Sequence, residues 1–178
     1  MRKIPKPPTP ERLEKAALAY LERYAASREG VRRVLMRRVE RAARAGVAGR
    51  EEGAAAVETV LERLAAKRLL DDRLYAEGLA ASLARRGLAR GRIAERLKLK
   101  GLAREEIAAA LGAVDETGDD DAARAARWAK KKRLGPYGDP AKRAARRLRD
   151  IAALARAGFE PELARRIVDG PAEDQSGF

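Results

Sequence analysis

Residues 85–104 hold Arg85, Arg86, Arg90, Arg92, Arg96, Lys98, Lys100 and Arg104 against a single acid, Glu95. Residues 124–149 repeat the imbalance, with Asp139 the only acid among cations that include Lys130, Lys131, Lys132, Arg133, Lys142, Arg143, Arg146 and Arg147. A third, sparser set, Arg33 and Arg37 with Arg41 and Arg44, is spaced to face outward from a helix. Any one arginine of these sets reads equally well as part of a solvated face. Clusters this dense are the footprint of a polyanion or of an acidic partner, and such binding weakens steeply with salt. Tyr137, in a Gly/Pro loop between cations, either stacks on an unpaired base or simply packs; both readings stand. Trp128 lies on an alanine stripe and reads as core.

The residue inventory removes most catalytic chemistry. The 178-residue chain has no Cys and no His, hence no disulfide, thiolate nucleophile, zinc–sulfur site or imidazole base. Serine occurs only at Ser27, Ser82 and Ser176. Asp71-Asp72 and Asp119–Asp121 are arranged as helix caps and first-turn acids rather than as metal ligands, so no metal, no cofactor and no catalytic residue is expected. Base-specific readout favours Asn, Gln or Arg at base edges; the chain has no Asn and one Gln, Gln175. A net charge of +13 points to nucleic acid or a nucleoprotein assembly as partner, with a membrane surface second.

The elements that position these cations are helices. Hydrophobic residues make up 46% of the chain but aromatics only 4%, so its apolar content is chiefly Ala, Leu and Val. That composition favours slender helices with thin contacts. After a basic, proline-rich leader, Thr9-Pro10 opens a helix with Leu13, Ala16, Ala17, Tyr20, Leu21 and Tyr24 on one stripe. A second helix after Ser27 turns Val31, Leu35 and Val39 inward; Gly46, Gly49 and Gly53 then mark a loop. A third presents Val57, Val60, Leu61 and Leu64. The pattern restarts after Asp71-Asp72 with Leu74, Tyr75, Leu79 and Leu83, then Ile93 and Leu97, then Ile107, Ala110, Leu111 and Val114. It restarts again with Ala122, Ala125, Ala126 and Trp128. The next helix carries Ala144, Leu148, Ile151 and Ala155 inward with Arg143, Arg146 and Arg147 opposite, and the last carries Leu163, Ala164, Ile167 and Val168. Leu97-x-x-x-Gly101-Leu102 echoes Leu154-x-x-x-Gly158-Phe159, and Leu35 to Val39 holds the same place with valine for glycine. Three-helix units this small must stack to bury their stripes. The expectation is an all-α chain of three tandem three-helix repeats forming an elongated, curved solenoid: leader 1–9, repeats 10–68, 69–116 and 117–169, and a tail 170–178. No run approaches the ~20 apolar residues of a spanning helix, and the reading is a soluble, cytoplasmic protein.

The stretch Val60-Leu61-x-x-Leu64, Leu69-Leu70-Asp71-Asp72-x-Leu74-Tyr75-Ala76 is the most distinctive in the chain. It continues through Arg85-Arg86-Gly87-Leu88, Arg92-Ile93-x-x-x-Leu97 and Lys100-Gly101-Leu102. In these residues the sequence resembles the RecX family of bacterial recombination regulators, and the likeness runs from about Leu13 to Val168. The resemblance implies a helical repeat protein, monomeric and non-enzymatic, that lies in the groove of a RecA–single-stranded DNA filament. There it inhibits ATP hydrolysis, strand exchange or filament growth. The competing expectation is a standalone DNA- or RNA-binding helical protein that contacts single-stranded or duplex nucleic acid without RecA.

Overall fold

The computed structural model describes residues 5–171, and among them every regular element is helical. In chain order these are α1 (Pro10–Leu21), α2 (Arg28–Arg44), α3 (Arg50–Ala66), α4 (Asp72–Arg85), α5 (Arg90–Leu99), α6 (Arg104–Glu116), α7 (Asp121–Lys132), α8 (Arg143–Arg156) and α9 (Pro161–Asp169). Two short 3-10 turns, Gly135–Tyr137 and Pro140–Lys142, join α7 to α8. The parts of the expected leader and tail at residues 1–4 and 172–178 lie outside the described residues. No described helix is long and apolar enough to cross a membrane.

The chain gathers into two compact units. One contains the chain through Ala76 together with Leu99–Glu106; the other contains Glu77–Lys98 and the chain from Ile107 onward. In the first, α1, α2 and α3 pack pairwise around Leu13, Val31, Leu35, Val39, Val57, Val60, Leu61 and Leu64. This is the stripe that the sequence spacing selects. In the second, α7, α8 and α9 close on Ala125, Leu154, Phe159, Leu163, Ala164 and Val168. Trp128 meets Phe159 edge-on at 6.4 Å between ring centroids, the arrangement that ring quadrupoles favour.

Three local readings change. Gly53 is not in a loop: α3 starts at Arg50, and Gly53 is buried in its first turns where α2 presses close. A Cβ there would sit 2.5 Å from Val39 Cγ1, so only glycine permits the approach. Tyr24 lies beyond the end of α1 and is 57% exposed, tilted against Tyr20 at 5.2 Å. Leu74 faces outward at 66% exposure, because the buried side of α4 is Ala76, Ala80, Leu83 and Ala84.

The same facts separate two glycines that the sequence cannot tell apart. Gly78, in mid-α4, has open space around it, with nothing within 4 Å of the point where a methyl would stand. Helical glycine costs about 1 kcal/mol relative to alanine. Gly78→Ala should therefore raise Tm by about 2–4 °C, at ~1 kcal/mol in a chain of this size. Gly53→Ala should lower it, because the crowded methyl forces α2 and α3 apart. Thermal unfolding followed by circular dichroism checks both signs.

Candidate nucleic-acid interface

The cations of the second unit are positioned from a buried charge outward. Arg124, in the first turns of α7, has no exposed side-chain surface. Its Nε and Nη2 donate to Asp121 Oδ1 at 3.3 and 2.8 Å, and Asp115 and Asp119 stand at 3.7 and 3.9 Å. Nη1 also donates to the Asp119 carbonyl. The planar guanidinium suits this role because it offers several donors in a fixed fork. Asp119 also receives Arg127, and Asp121 Oδ1 accepts the Arg90 backbone N–H at 2.7 Å, which caps the start of α5. Arg90 completes the cluster by pairing with Asp115 at 3.3 Å. The acids that read as caps and linker therefore converge after all, and they converge on an arginine. Only Asp120 is a simple cap, accepting from Ala123 N at 2.8 Å.

An equivalent joint orders the first unit. Asp71 caps its own helix through Leu74 N at 2.9 Å, while Asp72 Oδ1 accepts Arg28 N at 2.6 Å and so caps α2. The second aspartate of each pair thus serves a helix far back in the chain. A further contact recurs. Arg33 on α2 donates to the Leu99 carbonyl at the end of α5, and Arg92 on α5 donates to the Arg156 carbonyl at the end of α8. Both helix ends turn through left-handed glycines, Gly101 (φ 80°) and Gly158 (φ 97°). A Cβ on Gly101 would strike Glu29, and one on Gly158 would lie 2.5 Å from Arg92 Cγ. The Leu-x-x-x-Gly echo in the sequence marks these docking points.

The candidate residues then divide by what else they touch. Arg33 is occupied by Glu29 at 2.9 Å and the Leu99 carbonyl, Arg90 by Asp115, and Arg92 by Glu95 at 3.0 Å and the Arg156 carbonyl. Lys142 pairs with Asp139 at 3.5 Å. Arg37, Arg85, Arg86, Arg96, Lys98 and Lys100 are exposed and meet no carboxylate among the described residues. Lys130, Lys131 and Lys132 form the exposed last turn of α7, and Arg133 follows as its left-handed cap (φ 53°). Positive charge at a helix C-terminus also favours the dipole, so this group needs no acid nearby to be stable. Tyr137 is half-buried in the 3-10 turn, which packs on α9.

On α8 the sequence reading of faces is overturned for part of the helix. Ala144 is exposed and Leu148 is 76% exposed, whereas Asp150 and Leu154 are buried. Asp150 Oδ2 accepts Gly135 N at 2.9 Å and so ties the 3-10 turn to α8. Arg143 and Arg147 lie on that inner side. Arg143 donates to the Val168 and Gly170 carbonyls at 3.0 and 2.6 Å, satisfying the end of α9, and Arg147 grips Asp169 through two bonds of 2.6 Å. Among the described residues, Arg146 alone of the three is exposed without such a partner.

This fold and surface define an all-helical protein with exposed cationic helix ends, and known proteins share its sequence. Residues 71–111 match the family model described as RecX, second three-helix domain. The chain is 43% identical over 169 residues to "Regulatory protein RecX" of Myxococcus xanthus (strain DK1622), covering 94% of this chain and 89% of that protein. It is 35% identical over 99 residues to "Regulatory protein RecX" of Agrobacterium fabrum (strain C58 / ATCC 33970), covering 56% of this chain and 51% of that one. No solved structure matches. The chain belongs to the RecX family of regulatory proteins.

Removing one partner of a buried ion pair typically costs about 3–5 kcal/mol. Arg124→Met should fall toward the low end of that range, since its carboxylates keep some access to water, and should show as a clear drop in Tm. Acid should loosen the α8–α9 joint as well. Hydrogen bonds from Arg147, reinforced by the charges of Arg147, Arg143 and Arg165, hold the Asp169 carboxyl below its ordinary 3.8. A depressed folded pKa stabilises fully above the ordinary value and is lost as pH falls through the lower folded one. Between pH 5 and 2, Asp169→Asn should flatten the loss of stability relative to the parent chain, measured by urea unfolding at each pH.

Proposed function

We propose that this chain binds RecA–single-stranded DNA filaments and inhibits the recombinase, acting on ATP hydrolysis, strand exchange or filament growth, and that it does so by binding alone. The observation that carries the reading is the set of exposed cations with no carboxylate beside them, Lys130–Arg133 foremost, in a chain of the RecX family. Such charges keep their field for an external polyanion, because no partner among the described residues neutralises it. Arg85, Arg86, Arg96, Lys98, Arg146 and, in the first unit, Arg37 and Lys100 extend the same logic. Tyr137 adds a ring beside the α7 cations that can lie against an unpaired base. The partners on this reading are RecA and single-stranded DNA.

Two features favour this over sequence-specific DNA binding. The chain offers no Asn and a single Gln to read base edges. Apart from Arg37 in mid-α2, the charges sit at helix ends and turns rather than along one helix shaped for a groove. A standalone, non-specific nucleic-acid binder would use the same cations but would act only by covering DNA.

Addition of far less than one equivalent per RecA on single-stranded DNA should depress ATP hydrolysis; inhibition that begins only when the DNA is saturated would favour the standalone binder. Replacing Lys130, Lys131, Lys132 and Arg133 by Gln should weaken inhibition at least tenfold and reduce the salt dependence of filament binding by up to about 3 in log–log slope. Arg143→Gln and Arg147→Gln should instead lower thermal stability and leave the slope nearly unchanged, because both side chains already serve α9.

A further inference from the structure

The first unit holds a second concentration of positive charge that the reading above does not use. Pro5, Pro7 and Pro8 lie against α1 and α2 and with them enclose an open pocket of about 590 Å³. Lys6, Arg12, Lys15, Arg38 and Arg41 line it, and among the described residues no acid does. The leader is held in place locally. Arg12 Nη1 donates to the Pro7 carbonyl at 3.2 Å, Thr9 N donates to the same oxygen at 3.0 Å, and Pro10 then starts α1.

Nearby acids lie outside the pocket's lining: Glu11, held below the ordinary carboxylate range first by backbone and Thr9 hydrogen bonds and then by the charges of Arg63 and Arg12, does not line it. Glu14 of α1 turns to α3, where it meets Lys67 at 2.7 Å and Arg63 at 3.7 Å. On α2, Glu40 lines a neighbouring depression with Arg37, Arg41 and Arg44; Arg41 borders both, but Glu40 does not line the pocket. Arg38 and Arg41 have no hydrogen bond or ion pair among the described residues. Five like charges around one concavity repel one another, and an anion entering it relieves that repulsion while meeting several donors at once. The three prolines add an apolar lining whose nitrogens carry no N–H to satisfy. Phosphate-binding charge beside an apolar wall suits an unpaired nucleotide, which can offer backbone and base together; in a duplex the base faces are stacked away.

We propose that this pocket binds a segment of single-stranded nucleic acid, with Lys15, Arg38 and Arg41 on the phosphodiester backbone and a base against the leader prolines. The site goes beyond the filament reading and requires no recombinase. It can be tested without one, by the anisotropy of a fluorescein-labelled 15-mer of thymidylate titrated with the full chain at several salt concentrations. Arg38→Gln with Arg41→Gln should weaken binding about tenfold at low salt and lower the log–log salt slope by about 1.4, the value for two single-strand phosphate contacts. Arg23→Gln with Arg50→Gln removes the same charge outside the pocket and should change affinity less than about threefold. A 15-mer carrying abasic sites should bind the parent chain more weakly than thymidylate. Equal losses from the two double variants, or an unchanged slope in the pocket variant, would overturn the site. Equal binding of abasic and intact strands would overturn the proline contact. Because RecA is absent, these failures leave the filament assay untouched, and a failed filament assay leaves these measurements standing.

Discussion

A guanidinium with no exposed surface is stable only where counter-charge comes with it, and around Arg124 it comes from three directions. Asp121 lies on the same helix, Asp115 at the end of the helix before it, and Asp119 on the turn between them. Stripping water from an ion costs several kcal/mol, so the three carboxylates and the arginine are fixed together or not at all. The same acids then reach outward, Asp119 to Arg127 and Asp121 with Asp115 to Arg90. One buried charge thereby sets where α5 begins, where α6 ends and how α7 leaves the turn. Small alanine-rich contacts leave much of that placement unspecified, and the polar knot supplies it.

This arrangement also explains how a very basic chain can commit some cations to structure and leave others to solvent. Its acids are spent at joints: Asp72 on the start of α2, Asp121 on the start of α5, Asp150 on the 3-10 turn and Asp169 on Arg147. Many cations have no such partner and lie at helix ends and on outer faces, as with Lys130–Arg133. Membership of the RecX family rests on sequence likeness along most of the chain, and the joints give that likeness a physical content. The distinctive Asp71-Asp72 and the Gly101 turn both meet the start of α2, at Arg28 and Glu29.

Much of the fold was legible in the sequence. Leu13, Val31, Leu35, Val57, Leu61 and Leu64 keep strict helical spacing with polar residues opposite, so their inward face could be read directly. The reading failed where both faces of a helix are apolar or small. On α8, Ala144 and Leu148 look like a core stripe, but burial follows Asp150 and Leu154, and a buried aspartate leaves no hydrophobic signal. The site divided in the same way. Density of charge could be counted, whereas the difference between Arg146 in solvent and Arg143 bound to the end of α9 depends on a carbonyl 25 residues away. The knot around Arg124 had one readable sign, the recurrence of paired aspartates at the starts of α4 and α7.

The long reach of the Asp72 cap has a consequence for the order in which the protein can be made. On a ribosome the first amide of α2 is synthesised 44 residues before the carboxylate that receives it, an interval of roughly 2–9 s at ordinary elongation rates. For the start of α5 and Asp121 the separation is 31 residues. The starts of α2 and α5 therefore leave the exit tunnel uncapped, and each is completed only when an aspartate made tens of residues later folds back onto it.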